Sequence, residues 1–196
     1  LFYDSLALSA WKSIEETRWA LRVNPSSGNL HPTEGYLICG SIDGLCDKPM
    51  VCHYAPKEHG LEVLAEFESR LWESLCSELP RDTFLVGLAS IHWREAWKYG
   101  ERAYRYCQHD TGHALGAMRF AAAALGWRLK YLPELSNTDI AGLLGLDRKA
   151  DFRDAEIEYP DLVALVGPGP HEITGQAPGS DDIDLVRSGP WSGRAN

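Results

Sequence analysis

Two stretches of the chain hold residue types whose spacing could do chemistry. In the first, Asn24-Pro25-Ser26-Ser27-Gly28-Asn29-Leu30-His31-Pro32, two prolines bracket hydroxyl, amide, glycine and imidazole groups. Proline removes a backbone donor and small polar residues compete for backbone bonds, so this stretch is a loop. Its backbone N–H groups, hydroxyls, carboxamide and imidazole suit the edge of a planar heteroaromatic ligand, although a plain surface turn has the same composition. In the second, Trp97-Lys98-Tyr99-Gly100-Glu101-Arg102-Ala103-Tyr104-Arg105-Tyr106 is followed by Asp110-Thr111-Gly112-His113. Lys98 and Tyr99, adjacent at the mouth of a helix, can accept protons when desolvation or a nearby cation favours the neutral amine, and Arg102 and Arg105 are such cations. The competing reading is a helix start whose Lys and Arg stems cover apolar surface while their charges stay in water. His109 and His113, four apart, could offer two imidazoles to Zn²⁺ beside Asp110. No glutamate stands in the His-Glu-x-x-His position and no third ligand follows, so no metal is expected.

Composition bounds the rest. The 196 residues, 44% hydrophobic and 24% charged, suffice for one domain with a substantial core. A formal charge of −9, with Arg18 and Arg22 or Arg102 and Arg105 too sparse to track phosphates, argues against a nucleic-acid surface. No run of about 18 apolar residues occurs, so no membrane helix is expected. Without a charged-then-apolar leader, the expected compartment is the cytoplasm. Five cysteines, odd in number and without CxxC spacing, fit free thiols in a reducing compartment. Seven Trp and eight Tyr fit aromatic packing or a planar ligand.

Hydrophobic periodicity places the elements that must position the two stretches. Residues 1–11 carry a helical pattern with no cap before it, which predicts a helix continuing from a longer polypeptide. Tyr36 to Ser41 and Met50 to Tyr54 read as paired strands, with Leu61 to Leu64 following a Pro/Gly turn. Phe67, Leu71, Leu75 and Leu79 repeat every four residues and predict an amphipathic helix over 65–79, ended by Pro80. Phe84 to Ile91 is an uninterrupted apolar run, the signature of a central strand. After the polar aromatic segment 93–99, a long helix runs from Glu101 to Leu125 and stops at Gly126. Within it Gly112 and Gly116 share one face, which suits close helix packing or a flavin or subunit contact. Trp127 to Leu132 is the next strand. Asn137 or Thr138 caps a short helix through Leu144, and Leu162 to Val166 is the last strand. Beyond Gly167-Pro168-Gly169-Pro170, residues 171–196 read as a linker or the edge of a following domain, leaving 1–170 as the folded unit.

Pro25 to Pro32 with the following Thr33-Glu34-Gly35-Tyr36-Leu37-Ile38 resembles the flavin-contacting loop and strand of the FMN-dependent nitroreductase family. The Lys-Tyr-Gly-x-Arg-x-Tyr-Arg-Tyr block with its Asp-x-Gly-His is similar to that of the SagB-type branch, which includes dehydrogenases of thiazolines and oxazolines in ribosomal peptides. His53-Tyr54-Ala55-Pro56 resembles the end of a hairpin in that branch. The resemblance spans roughly residues 1–166 and rests on two blocks, 25–36 and 97–113. It implies an α+β fold, an α/β/α sandwich with a mostly antiparallel central sheet flanked by helices. It also implies FMN as cofactor, with Arg22, Pro25, Ser26, Ser27, Asn29, His31 and Glu134 as candidate contacts and Lys98 and Tyr99 as candidate bases that take a proton from a small-molecule or peptide substrate.

In that family FMN lies at a subunit interface, so the resemblance implies a homodimer, or a pseudo-dimer with a second nitroreductase-like half. Two departures favour the alternative of a degenerate half that completes such a pair, or binds a flavin or metabolite, without turnover. Leu135 stands where the family often has a glycine after Pro133-Glu134. The phosphate-gripping residues, an Arg- and Ser-bearing upstream segment and a C-terminal basic pair, have no match, since Arg187 and Arg194 lie in a polar tail.

Overall fold

The computed structural model describes residues 1–169, 171 and 173–193; Arg194 lies outside them. The chain opens in turns rather than the expected helix and continues as a hairpin of β1 (Leu8–Ile14) and β2 (Thr17–Arg22). The apolar residues that mimic a helical stripe work locally. Phe2 stacks on Tyr54 with ring centroids 4.8 Å apart, and Leu6 and Ala7 are buried against the sheet. The main sheet takes in β3 (Thr33–Cys39), β4 (Met50–Ala55) and β5 (Gly60–Glu66), followed by α1 (Ser69–Leu75). That helix is much shorter than the periodicity predicts, because Ala65 and Glu66 pair with Val51 and Met50 and Phe67 donates to the Pro49 carbonyl, which keeps the chain extended.

The chain continues through β6 (Phe84–Ser90), α2 (Trp93–Tyr99), α3 (Ala103–Ala124), β7 (Trp127–Tyr131), α4 (Asn137–Leu144), β8 (Tyr159–Pro168) and α5 (Ser180–Arg187). Strand order is β5-β4-β3-β6-β8-β7, and every pairing is antiparallel. One face packs on α3 through Val86, Leu88, Ala114, Met118 and Ala164. The other packs on α1, α4 and α5 through Ile38, Leu85, Leu143, Val163 and Ile183, so the architecture is the expected α/β/α sandwich. Gly87 on β6 permits this approach: a Cβ there would lie 2.5 Å from a Leu144 methyl.

The cap of α4 is Ser136 rather than Asn137 or Thr138, because only Ser136 can exchange bonds with Asp139 in a capping box. Within the segment expected as a linker, α5 sends Ile183 and Val186 into the core. Among the described residues no helix is long and apolar enough to cross a membrane.

Candidate functional site

The two chemistry-bearing stretches, some seventy positions apart in sequence, meet at one end of the sheet. β2 ends at Arg22, β3 starts at Thr33, and the loop between them folds into a 3-10 turn over Ser27–Asn29. Gly28, Asn29 and His31 all have left-handed backbone, with φ of 63°, 60° and 50°. That geometry costs glycine little but disfavours His31, so it persists only where surrounding bonds over-determine it. They do: the His31 N–H donates to Ser26 Oγ at 2.8 Å, its carbonyl accepts from Arg94 at 2.8 Å, and its Nε2 lies 2.8 Å from Asn29 Oδ1.

Gly28 is where the second stretch arrives. A Cβ placed on it would lie 2.5 Å from the Tyr99 hydroxyl and 2.7 Å from Lys98 Nζ. Lys98 Nζ stands 5.4 Å from the centre of the Tyr99 ring, which itself packs 4.4 Å from the ring of Tyr106. Gly28→Ala is expected to lower stability by about 1–2 kcal/mol through its left-handed backbone and to displace both side chains. Thermal unfolding and the Tyr99 ring resonances measure the two effects.

What pins the loop is Asp110, fully buried on α3. Its carboxylate accepts from Ser26 Oγ at 2.7 Å, from the Ser27 N–H at 2.9 and 3.1 Å, and from Ser27 Oγ at 3.1 Å. The Ser26 and Ser27 side chains, expected to face a cofactor, therefore bind the helix. Asn29 is likewise engaged, its Nδ2 donating to the Ala20 carbonyl at 2.9 Å, and Pro25 is exposed. The neighbouring Asp161 accepts from Ser90, Thr111 and Gln108 at 2.5, 2.9 and 3.0 Å, tying α3 to the ends of β6 and β8.

Beneath the loop lies a buried charge network centred on Glu34. Arg22 donates to the Thr33 carbonyl at 2.9 Å and reaches Glu34 at 3.5 Å, so its guanidinium points inward. Arg94 bonds Glu34 at 2.6 Å and also holds Glu156, while His53 bridges Glu34 at 3.2 Å and Glu62 at 2.8 Å. Burial would raise the Glu34 carboxyl, but His53, Arg22 and Arg94 outweigh it and hold it below the usual carboxylate value. Burial, then the Arg22 and Arg94 cations, pull His31 down to about 4 against Glu34, so its ring is neutral at pH 7. The Asn24 amide, His31 Nδ1 and Thr33 Oγ1 are buried without a partner among the described residues.

Glu134 sits in the turn after β7, exposed, with β6 and β8 between its strand and β3, and the chain itself does not bring it to the loop. Leu135 packs against the core on the α4 side. His109 and His113 are exposed on α3 whereas Asp110 is buried, and among the described residues no group of three His, Cys, Asp or Glu is arranged to hold a metal. A Cβ added at Gly112 or Gly116 would meet nothing within 4 Å, so among the described residues no segment packs on that face.

Sequence reasoning missed Glu34, Arg94, Glu95 and the role of Asp110. One signal was readable: a glutamate in the apolar strand Thr33–Cys39 demands a buried partner. Glu95 also falls one helical turn before Lys98 and Tyr99.

The profile of the nitroreductase family matches residues 12–153. A candidate nitroreductase from Anabaena variabilis superposes with a TM-score of 0.68 at 23% identity, covering 95% of this chain and 40% of that one. A chain of the E. coli microcin synthetase McbBCD complex, with truncated pro-MccB17 bound, gives 0.66 at 21%, covering 87% and 62%. A candidate nitroreductase from Ralstonia eutropha gives 0.53 at 14%, covering 77% and 64%. At these identities the likeness is one of fold, and this chain spans less than two thirds of the first two structures' own length. No curated protein matches.

Proposed function

Since this chain belongs to the nitroreductase family, we propose that it works as an FMN-dependent oxidoreductase of the SagB type. The observation that carries this reading is the meeting of Lys98 Nζ and the Tyr99 hydroxyl over Gly28 of the loop. An amine, a phenol and a left-handed loop edge are a polar set that fits the carbonyl-and-nitrogen edge of a flavin, and the partnerless polar atoms around Asn24, His31 and Thr33 fit a site finished by an added group. In this proposal Ser26, Ser27, Asn29 and His31 shape the loop that meets the ring, with Pro25 at its exposed rim, Arg22 bracing it from below and Glu134 approaching from the β7 side. A bound flavin supplies the two-electron acceptor or donor. Lys98 and Tyr99 would take the proton from one substrate carbon, and the flavin would supply the acceptor for the hydride that the substrate loses with it.

The substrate we propose is a peptide bearing a thiazoline or oxazoline, in keeping with the peptide bound in the microcin synthetase complex. A second copy, or a second nitroreductase-like half, covers the outer side of α3, where Phe120 is exposed and a Cβ at Gly112 or Gly116 would meet nothing among the described residues. The five free thiols support a cytoplasmic setting.

Flavin retention is the direct test. Full-length protein incubated with FMN and passed through gel filtration is expected to keep the yellow flavin absorbance, and an azoline-bearing peptide is expected to bleach it. Protein that emerges colourless overturns the reading. Bound flavin that, once reduced chemically, is reoxidised by nitro compounds or quinones, but that no azoline peptide bleaches, retains the oxidoreductase and removes the SagB-type assignment.

A further inference from the structure

Glu95, in the first turn of α2, has no exposed surface, and neither of its carboxylate oxygens has a hydrogen-bond partner among the described residues. An ionised carboxylate buried without donors is strongly disfavoured, so such a group takes up a proton. The groups that face it are Asp110 and Cys107 from α3 and Lys98 from its own helix; Asp161, from β8, lies beyond Cys107. Asp110 is the opposite case: equally buried, it accepts from two hydroxyls and a backbone N–H of the loop. Two neighbouring buried carboxylates do not both ionise cheaply. The one with donors keeps the charge, and the one without keeps the proton.

We infer that Glu95 is the proton-holding partner of Asp110, a positioning residue whose protonation sets how firmly Asp110 grips Ser26 and Ser27 under Lys98 and Tyr99. With Glu95 neutral, Asp110 is the lone anion and the loop donors serve it fully. With Glu95 ionised, a second negative charge beside Asp110 destabilises the pair, and the cost is relieved by opening the α2–α3 contact or the loop. Burial, then the Asp110 charge, push the Glu95 carboxyl up to about 7 against the pull of Lys98. The folded protein therefore binds this proton more tightly than the unfolded chain does. The contribution of this proton to the grip is full below the usual carboxylate range and is lost as pH rises toward and through about 7. Any consequence for turnover rests on the proposed role of Lys98 and Tyr99, but the clamp itself does not.

Amide exchange at Ser27, whose N–H donates to Asp110, reads the clamp in flavin-free protein without substrate. After correction for intrinsic exchange, protection is expected to fall roughly tenfold as pH rises through the Glu95 transition, the equivalent of one pKa unit. In Glu95→Gln the step disappears, and in Glu95→Asp it returns at a shifted midpoint. A step of unchanged size in Glu95→Gln, or none in the wild type, overturns the inference. Should the variants fail to fold, the Glu95 carboxyl carbon in wild-type protein decides by NMR: titration near 7 supports the inference, and titration in the ordinary carboxylate range overturns it. Because neither readout needs flavin or turnover, colourless or inactive protein with a normal Ser27 step would overturn the proposed function alone.

Discussion

Lys98→Ala and Tyr99→Phe are each expected to lower substrate-dependent flavin reduction by about 10²-fold or more, the range general acid–base groups contribute. Neither change should cost much stability. Lys98 is exposed, and Tyr99→Phe removes one hydroxyl while keeping the ring packed against Tyr106. That combination separates chemistry from architecture. A loss of turnover with unchanged melting temperature and unchanged flavin retention places the pair at the reacting atoms. If both variants turn over at the wild-type rate with flavin bound, the assignment of Lys98 and Tyr99 is wrong. The double variant adds a further check, since two groups that act as one unit give a combined loss well short of the product of the single losses.

Asp110→Ala is expected to be the most destabilising single change at the site, by about 2–4 kcal/mol, because it leaves the buried Ser27 N–H and two hydroxyls without their charged acceptor. For a chain of this size that is a fall in melting temperature of roughly 5–15 °C. The loop should loosen with it, so flavin retention drops as well. Asp110→Asn is not a mild substitute. Half of its head group becomes a donor facing donors, and the charge that polarises the three loop groups is gone. The cost also depends on pH in a specific direction: removing Asp110 takes away the like charge that raises Glu95, so the penalty is smaller above about 7 than just below it. Denaturant unfolding of wild type and Asp110→Ala on either side of that pH measures it. A penalty under 1 kcal/mol at both would mean the loop is held by something other than Asp110.

The buried network under the loop explains why several polar side chains of the first stretch look inward. Glu34 on β3 is an anion in the core, and burying it requires Arg22, Arg94 and His53 around it. Arg94 then has a donor left for the His31 carbonyl, so the same cation that neutralises Glu34 also fixes the left-handed end of the loop. Removing one partner would leave an uncompensated buried charge, which ties loop geometry to the integrity of the sheet edge.

Much of the sheet was legible from local pattern. Phe84 to Ile91 and Tyr36 to Ser41 became β6 and β3 because a short apolar run between turn residues has few other places to go. The long helix ended at Gly126, whose φ of 76° is the left-handed stop that glycine supplies. The failures lie where periodicity is ambiguous. Leu1, Leu8 and Trp11 fit a helical pattern, yet the first plugs the sheet and the other two lie in a hairpin whose turn at Glu15 has no glycine or asparagine to announce it. Phe67, Leu71, Leu75 and Leu79 also fit a stripe, but the pairing of β5 with β4 claims the chain first.

By itself the sequence determined the kinds of groups available: a loop of small polar residues between prolines, and a Lys-Tyr pair at a helix mouth. Residue type and spacing are local properties, and those survive without a fold. Only the tertiary structure decided what each group touches. Packing α3 across β3, β6 and β8 puts Asp110 under Ser26 and Ser27, which tethers the loop to the helix. Packing α2 against α3 lays Lys98 and Tyr99 over Gly28 and shuts Glu95 away from water. Those roles come from burial and from pairings between residues some seventy to eighty positions apart, and such pairings leave no periodic trace along the chain.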